Sequence, residues 1–122
     1  MLFRLAEEYG YEHLTGADFS PVCIDECTAE VTGRGLEGKL FFHTADARDM
    51  VKETDTDNDG YCPAAADLHR YPAGHFDIIV DKGCLDCFVS GEGQTDVARY
   101  LNQVRCLLTL RKMHSLPLFA LN

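Results

Sequence analysis

Three aspartates sit where acids are useful for gripping a small polar ligand. Asp18 follows the apolar run HLTGA, Asp46 comes just after KLFFHT, and Asp81 ends HFDIIV. A carboxylate is an acceptor-only group with two oxygens, so it suits a ribose diol or an amino group. In an α/β sheet of parallel strands, ligands collect beyond the carboxyl ends of the strands, and all three acids fall at such ends. Plainer readings stand beside these. Asp18 is close enough to the next helix to cap it, Asp46 is placed to cap a short helix through Met50, and Asp81 fits a solvated turn.

The elements that would carry these acids alternate. Leu2, Leu5 and Ala6 are spaced as on a helix that stops at Gly10, so residues 2–9 read as helical. A strand over 13–17 leads to Asp18, and Ser20-Pro21 supplies the N-cap and first-turn proline of a helix over about 21–30. Residues 32–38 form a glycine-rich loop before a strand over 39–44. Residues 53–74 are polar and read as a surface insertion. The run at 75–80 is β-branched and apolar, the pattern of a strand buried on both faces. Val97, Leu101, Val104 and Leu108 lay a stripe on a helix over 95–109, leaving Arg99, Asn102 and Arg105 outward. The final MHSLPLFALN reads as a short strand interrupted by Pro117. The fold class is α/β with a mostly parallel sheet.

Other groupings carry weaker chemistry. Asp55-Thr56-Asp57-Asn58-Asp59-Gly60 matches the first half of a calcium loop, but position twelve is Ala66 rather than a bidentate glutamate. A solvated acidic insertion is the favoured reading. Cys84 and Cys87 form a C-x-x-C, which suits redox chemistry or half a zinc site. A zinc site needs two further ligands, for which Cys62, His69 or His75 are candidates by proximity in sequence alone, and thiols filling small positions are the preferred reading. No metal is expected. Cys23 and Cys27 stand one helical turn apart and read as packing residues. The five histidines carry no HExxH or triad context and receive no role.

Composition narrows the classes. The 122 residues carry a net charge of −9, with 46% hydrophobic and 25% charged side chains, as in an ordinary folded domain. All acids precede Val97; beyond it come Arg99, Arg105, Arg111 and Lys112. An acidic surface disfavours nucleic acid, whose phosphates need cations in return. No apolar run approaches the length of a membrane span, and MLFRLAEEYG lacks a signal-peptide pattern, so a cytoplasmic protein with reduced thiols is expected.

The order YEHLTGADFSPVCIDE, FFHTADARDM, HFDIIVDKGCLDC and RYLNQVRCLL resembles the class I S-adenosylmethionine-dependent methyltransferases over about residues 1–109. The DKGCLD segment resembles the methyltransferase-like group that includes lysine methyltransferases of elongation factor one-alpha. That resemblance implies a Rossmann-like sheet and S-adenosylmethionine as cofactor. It implies that Asp18 binds the cofactor ribose, with Phe19 and Ser20 beside the adenosine. Asp46 would meet the adenine amino group, and the Ala47 amide an adenine ring nitrogen. Asp81, with Lys82 and Gly83, would stand near the methionine moiety and the substrate entrance, Leu85 and Asp86 completing the segment. Asp81 and Lys82 are thus the catalytic candidates, Asp81 orienting a lysine amine that must be neutral to attack. An acidic surface suits a basic protein substrate.

Two parts of the family pattern are absent from these 122 residues. The first strand with its glycine-rich turn should precede residue 2, and after Leu108 a Pro-Gly-Gly-like turn and further strands give way to TLRKMHSLPLFALN. The expectation is a single truncated domain over 1–122, with 53–74 inserted, 110–122 divergent, and the first and C-terminal strands lacking. The first strand belongs between those ending at Asp18 and Asp81. Its absence leaves a gap, a direct pairing of those strands, or an edge borrowed from another chain. The alternative function is a non-catalytic methyltransferase fragment that acts as a protein-interaction module.

Overall fold

The computed structural model describes residues 1–52, 68–90, 94–108 and 118–121. Helix α1 (Leu2–Tyr9) buries Leu2 and Ala6 and stops at Gly10, whose φ is +68°. Strand β1 (Leu14–Asp18) follows. Ser20 then caps α2 (Pro21–Gly33): its Oγ accepts from the Cys23 N–H at 3.4 Å, and Pro21 opens the helix, as the sequence predicts. Strand β2 (Leu40–Thr44) pairs parallel to β1, Leu14 against Leu40 through Asp18 against Thr44. Strand β3 (Ile78–Asp81), α3 (Cys84–Ser90) and α4 (Gln94–Leu107) come next, and β4 (Leu118–Leu121) comes last. The fold is α/β, and the four strands run parallel in the order β2-β1-β4-β3.

The position of β4 answers the question left by the sequence. The strand between β1 and β3 comes from the chain's own last residues: Leu14 to Ala17 pair with Leu118 to Leu121 on one side, and Ile78 to Asp81 on the other. The strand is Leu118–Leu121, and it lies between β1 and β3; the sequence reads 113–122 as a short strand interrupted by Pro117 without giving it a place in the sheet, and leaves a gap, a direct β1–β3 pairing or a borrowed edge. A strand added from the C-terminal end satisfies the inner backbone edges of β1 and β3 without any of these.

Alternation along the strands splits the core in two. On one face Leu14, Leu40 and Val31 pack with Leu2, Ala6 and Phe42 beneath α1 and α2. Gly16 belongs to this face for want of room: a Cβ there would meet the Phe42 ring at 2.3 Å. On the other face Ala17, Met50, Tyr71, Phe76, Tyr100 and Leu107 form the second cluster, joined by Ile79 and by Leu85 and Phe88 of α3. Each fully buried Leu, Met or Phe contributes about 1.5–3 kcal/mol relative to exposure.

Three expectations are corrected. The run at 75–80 is not a strand buried on both faces; β3 begins at Ile78, lies at the sheet edge, and leaves Ile78 38% exposed. The buried stripe of α4 is rotated: Tyr100 and Leu107 are inside with Val104 packed against the same cluster, while Leu101 is half exposed. Arg99, Asn102 and Arg105 do face outward. Within the expected insertion Tyr71 packs into the core at 3% exposure, and its backbone pairs with Met50 and Lys52, while Pro72, Ala73 and Gly74 stay exposed. Residues 53–67, with the calcium-like hexapeptide and Cys62, lie outside the described residues, as do 109–117. No described helix is long and apolar enough to cross a membrane.

Candidate functional site

The carboxyl ends of β1 and β2 and the start of α3 enclose a cleft of about 300 Å³. Its floor is small, made of Ala17, Ala45 and Ala47, all buried. Asp18 and Asp46 stand on it, with Phe19 and Phe88 as aromatic walls. Phe19 is 65% exposed, so its ring is held at the cleft without being packed into the core.

The aspartates are held differently. Asp18 ends β1, and its Oδ1 accepts the Ser20 N–H at 2.8 Å, a local turn that leads into the α2 cap. Its Oδ2 accepts no hydrogen bond from the described residues, which leaves one oxygen for an incoming donor. Asp46 is gripped by Arg48. The Arg48 N–H and Nε meet Oδ1 at 2.9 and 3.0 Å, and Nη2 meets Oδ2 at 2.9 Å. Burial alone would raise the Asp46 carboxyl, but the Arg48 guanidinium and amide outweigh it and hold it below its ordinary value. The short helix considered for residues 46–50 does not form.

Arg48 is a site residue that sequence reasoning missed. Beyond Asp46 it reaches Asp96 of α4 at 3.1 Å, and its guanidinium lies 5.9 Å from the Phe88 ring. Nearby, the Gln103 Oε1 accepts from the Met50 and Val51 N–H groups, so α4 anchors the loop that carries Asp46. The signal was faint: a guanidinium two residues past an aspartate is common, and its partner Asp96 lies 48 residues away.

Asp81 serves α3. Its Oδ1 accepts the Cys84 N–H at 2.8 Å and its Oδ2 the Leu85 N–H at 2.9 Å, satisfying first-turn donors. The buried Tyr100 hydroxyl donates to the same Oδ2. Burial first, and then this acceptor, pushes the tyrosine pKa up. The solvated-turn reading of Asp81 gives way to this bracing role at the base of the helix. Lys82 is exposed beside it.

The structure therefore brings Asp18, Phe19, Asp46 and Ala47 onto one cleft. Ser20 stands behind Asp18, and Asp81 and Lys82 end the next strand but one without lining the cleft. Cys84 and Cys87 both line it, on the wall opposite the aspartates' strands. Among the described residues, no group of three His, Cys, Asp or Glu side chains is arranged to hold a metal ion.

A second cavity, of about 480 Å³, gathers His13, His43, His69 and His75 around Tyr71. The His43 and His69 rings stack with centroids 4.0 Å apart, and the His43 Nδ1 lies 3.0 Å from the Tyr71 hydroxyl. Burial lowers both imidazole pKa values, helped at His43 by His69 and at His69 by Lys52 and His75. Nothing in the spacing of these histidines announces the grouping, because it depends on how residues 68–76 fold back onto β2.

The chain matches no protein-family model, no curated protein and no solved structure.

Proposed function

We propose that this chain is a Rossmann-like domain of the class I S-adenosylmethionine-dependent methyltransferase type, with a protein lysine as methyl acceptor. One observation carries the reading: Asp18 and Asp46, at the carboxyl ends of neighbouring parallel strands, line the same cleft. The strand order reverses its direction of growth beside β1, the kind of place where open α/β sheets take nucleotides.

The chemistry of the cleft favours a nucleoside over a nucleotide. Arg48 already neutralises Asp46, and Asp18 leaves an acidic lining that attracts hydroxyl and amino donors but repels phosphate. The volume is at the small end of ligand clefts, which begin at about 300 Å³. It suits an adenosine-sized group. Asp18 would hold the ribose hydroxyls, with Ser20 fixing its turn. Phe19 would lie against the adenosine. Asp46 retains an acceptor position on Oδ2 for the adenine amino group, and the Ala47 amide would meet a ring nitrogen.

S-adenosylmethionine supplies an electrophilic methyl on a sulfonium sulfur. The protein's part is to align a neutral amine with that carbon and to exclude water. Asp81, braced by α3 and Tyr100, and the adjacent Lys82 are the residues we assign to orienting the acceptor. The net charge of −9 draws a basic protein segment towards the domain.

A second reading follows from the state of Asp81. Its carboxylate is already committed to two α3 amides and a tyrosine hydroxyl, which suits a non-catalytic domain that binds a protein partner. Calorimetric titration separates the two. The first reading expects S-adenosylhomocysteine to bind and adenosine triphosphate to bind far more weakly. A folded chain that binds neither belongs to the second.

A further inference from the structure

The C-x-x-C pair lines the cleft; Cys84 packs in part against the core cluster beneath α3, and the proposed chemistry uses neither thiol. Cys84 is the first residue of α3 and Cys87 lies three residues on, so the two side chains stand over one another on one helix face. Both line the same cavity, and Cys87 is exposed to solvent while Cys84 is half-buried. We infer that Cys84 and Cys87 form a reversible dithiol–disulfide couple on the cleft wall, which exchanges with small disulfides of the glutathione type.

The placement suits ring closure. Helical i, i+3 spacing brings the Cα atoms within the roughly 4.4–6.8 Å that a disulfide spans. The remaining adjustment falls at the helix start, where Cys84 has no preceding turn to disrupt. Gly83, at φ +96°, precedes it as a backbone joint. Cys23 and Cys27 are the contrasting pair. They lie inside the thirteen-residue α2, where closing a ring would break interior helical hydrogen bonds.

The order of events follows from exposure and ionisation. The attacking species is a thiolate, and burial, with Asp81 next, pushes the Cys84 thiol up to about 11. Cys87 is the accessible sulfur, so its thiolate attacks one sulfur of glutathione disulfide and expels one glutathione thiolate. Cys84 then gives its proton to solvent and attacks the Cys87 sulfur, forming the internal bond and releasing the second glutathione. Two protein thiols are oxidised by two electrons, and one small disulfide is reduced to two thiols.

The test does not depend on what the cleft binds. The full chain is equilibrated with excess glutathione disulfide, its free thiols are blocked, and tryptic peptides are weighed. Residues 83–99 form one peptide that holds both cysteines and no others. That peptide should become lighter by two hydrogens, carry no glutathione, and revert fully with dithiothreitol, while Cys23 and Cys27 form no bond to one another. Cys84→Ser should trap glutathione on Cys87, and Cys87→Ser should leave Cys84 unmodified. A wild-type peptide with both thiols still blocked, or one that retains glutathione on Cys87, would overturn the inference.

Discussion

The guanidinium of Arg48 closes on both oxygens of Asp46, with Nε 3.0 Å from Oδ1 and Nη2 2.9 Å from Oδ2. The pair fixes the loop after β2, and through Asp96 it fastens that loop to α4. Arg48→Met should therefore destabilise the domain by about 1–2 kcal/mol, a charged hydrogen bond discounted for partial exposure. Because the Asp46 pKa is lowered in the fold, its contribution is present above the unfolded carboxyl pKa and is lost as pH falls through the folded one. Urea unfolding at pH 7 and pH 3 checks both points. The variant's deficit should shrink at the lower pH.

The histidine cavity makes a separate prediction in a different pH window. His43 and His69 have pKa values lowered by burial, so the unfolded chain binds protons more readily than the folded one. Their contribution is complete above the unfolded histidine pKa of about 6.5 and is lost as pH falls through the folded values. The melting temperature should drop between pH 7 and pH 5. His69→Gln should flatten that slope, and an unchanged slope would place the acid sensitivity elsewhere.

Tyr100→Phe removes one donor from Asp81 and leaves the ring in the core beside Phe88. The expected loss is about 0.5–1.5 kcal/mol, since the Cys84 and Leu85 amides remain. Tyr100→Ala should cost about 3–5 kcal/mol by opening a cavity. Equal losses in denaturant titrations would mean that the hydroxyl, not the ring, carries the contact.

Gly16 lies where β1 and Phe42 approach most closely. With a Cβ falling 2.3 Å from the ring, Gly16→Ala should cost about 1–3 kcal/mol by overpacking. Gly16→Ala combined with Phe42→Leu should recover part of the loss. Thermal melts of the two single variants and the double variant test this; strict additivity would contradict the contact.

Much of this arrangement was legible in the chain because local rules dictate it. Ser20-Pro21 starts α2 through capping, and the runs before Asp18 and Asp46 are strands, the first ending on its acid and the second two residues short of it. What the sequence hid depends on contacts between distant residues. The run before Asp81 has the composition of an interior strand, yet β3 is an edge, because β4 enters beside it from forty residues further along the chain. Tyr71 sits in a polar stretch whose composition suggests a surface loop, but its aromatic ring finds the core. Arg48 and the histidines His43, His69 and His75 acquire partners only when β2, α4 and residues 68–76 come together.

The most direct test concerns Asp18, whose Oδ2 accepts nothing from the described residues while its Oδ1 is held by Ser20. S-adenosylhomocysteine is titrated calorimetrically into the chain and into Asp18→Ala, with circular dichroism establishing that both are folded. The account predicts binding to the wild type and an affinity lower by about 1–3 kcal/mol in the variant, roughly fivefold to 150-fold. A folded wild type that does not bind, or equal affinity in the two proteins, would contradict it.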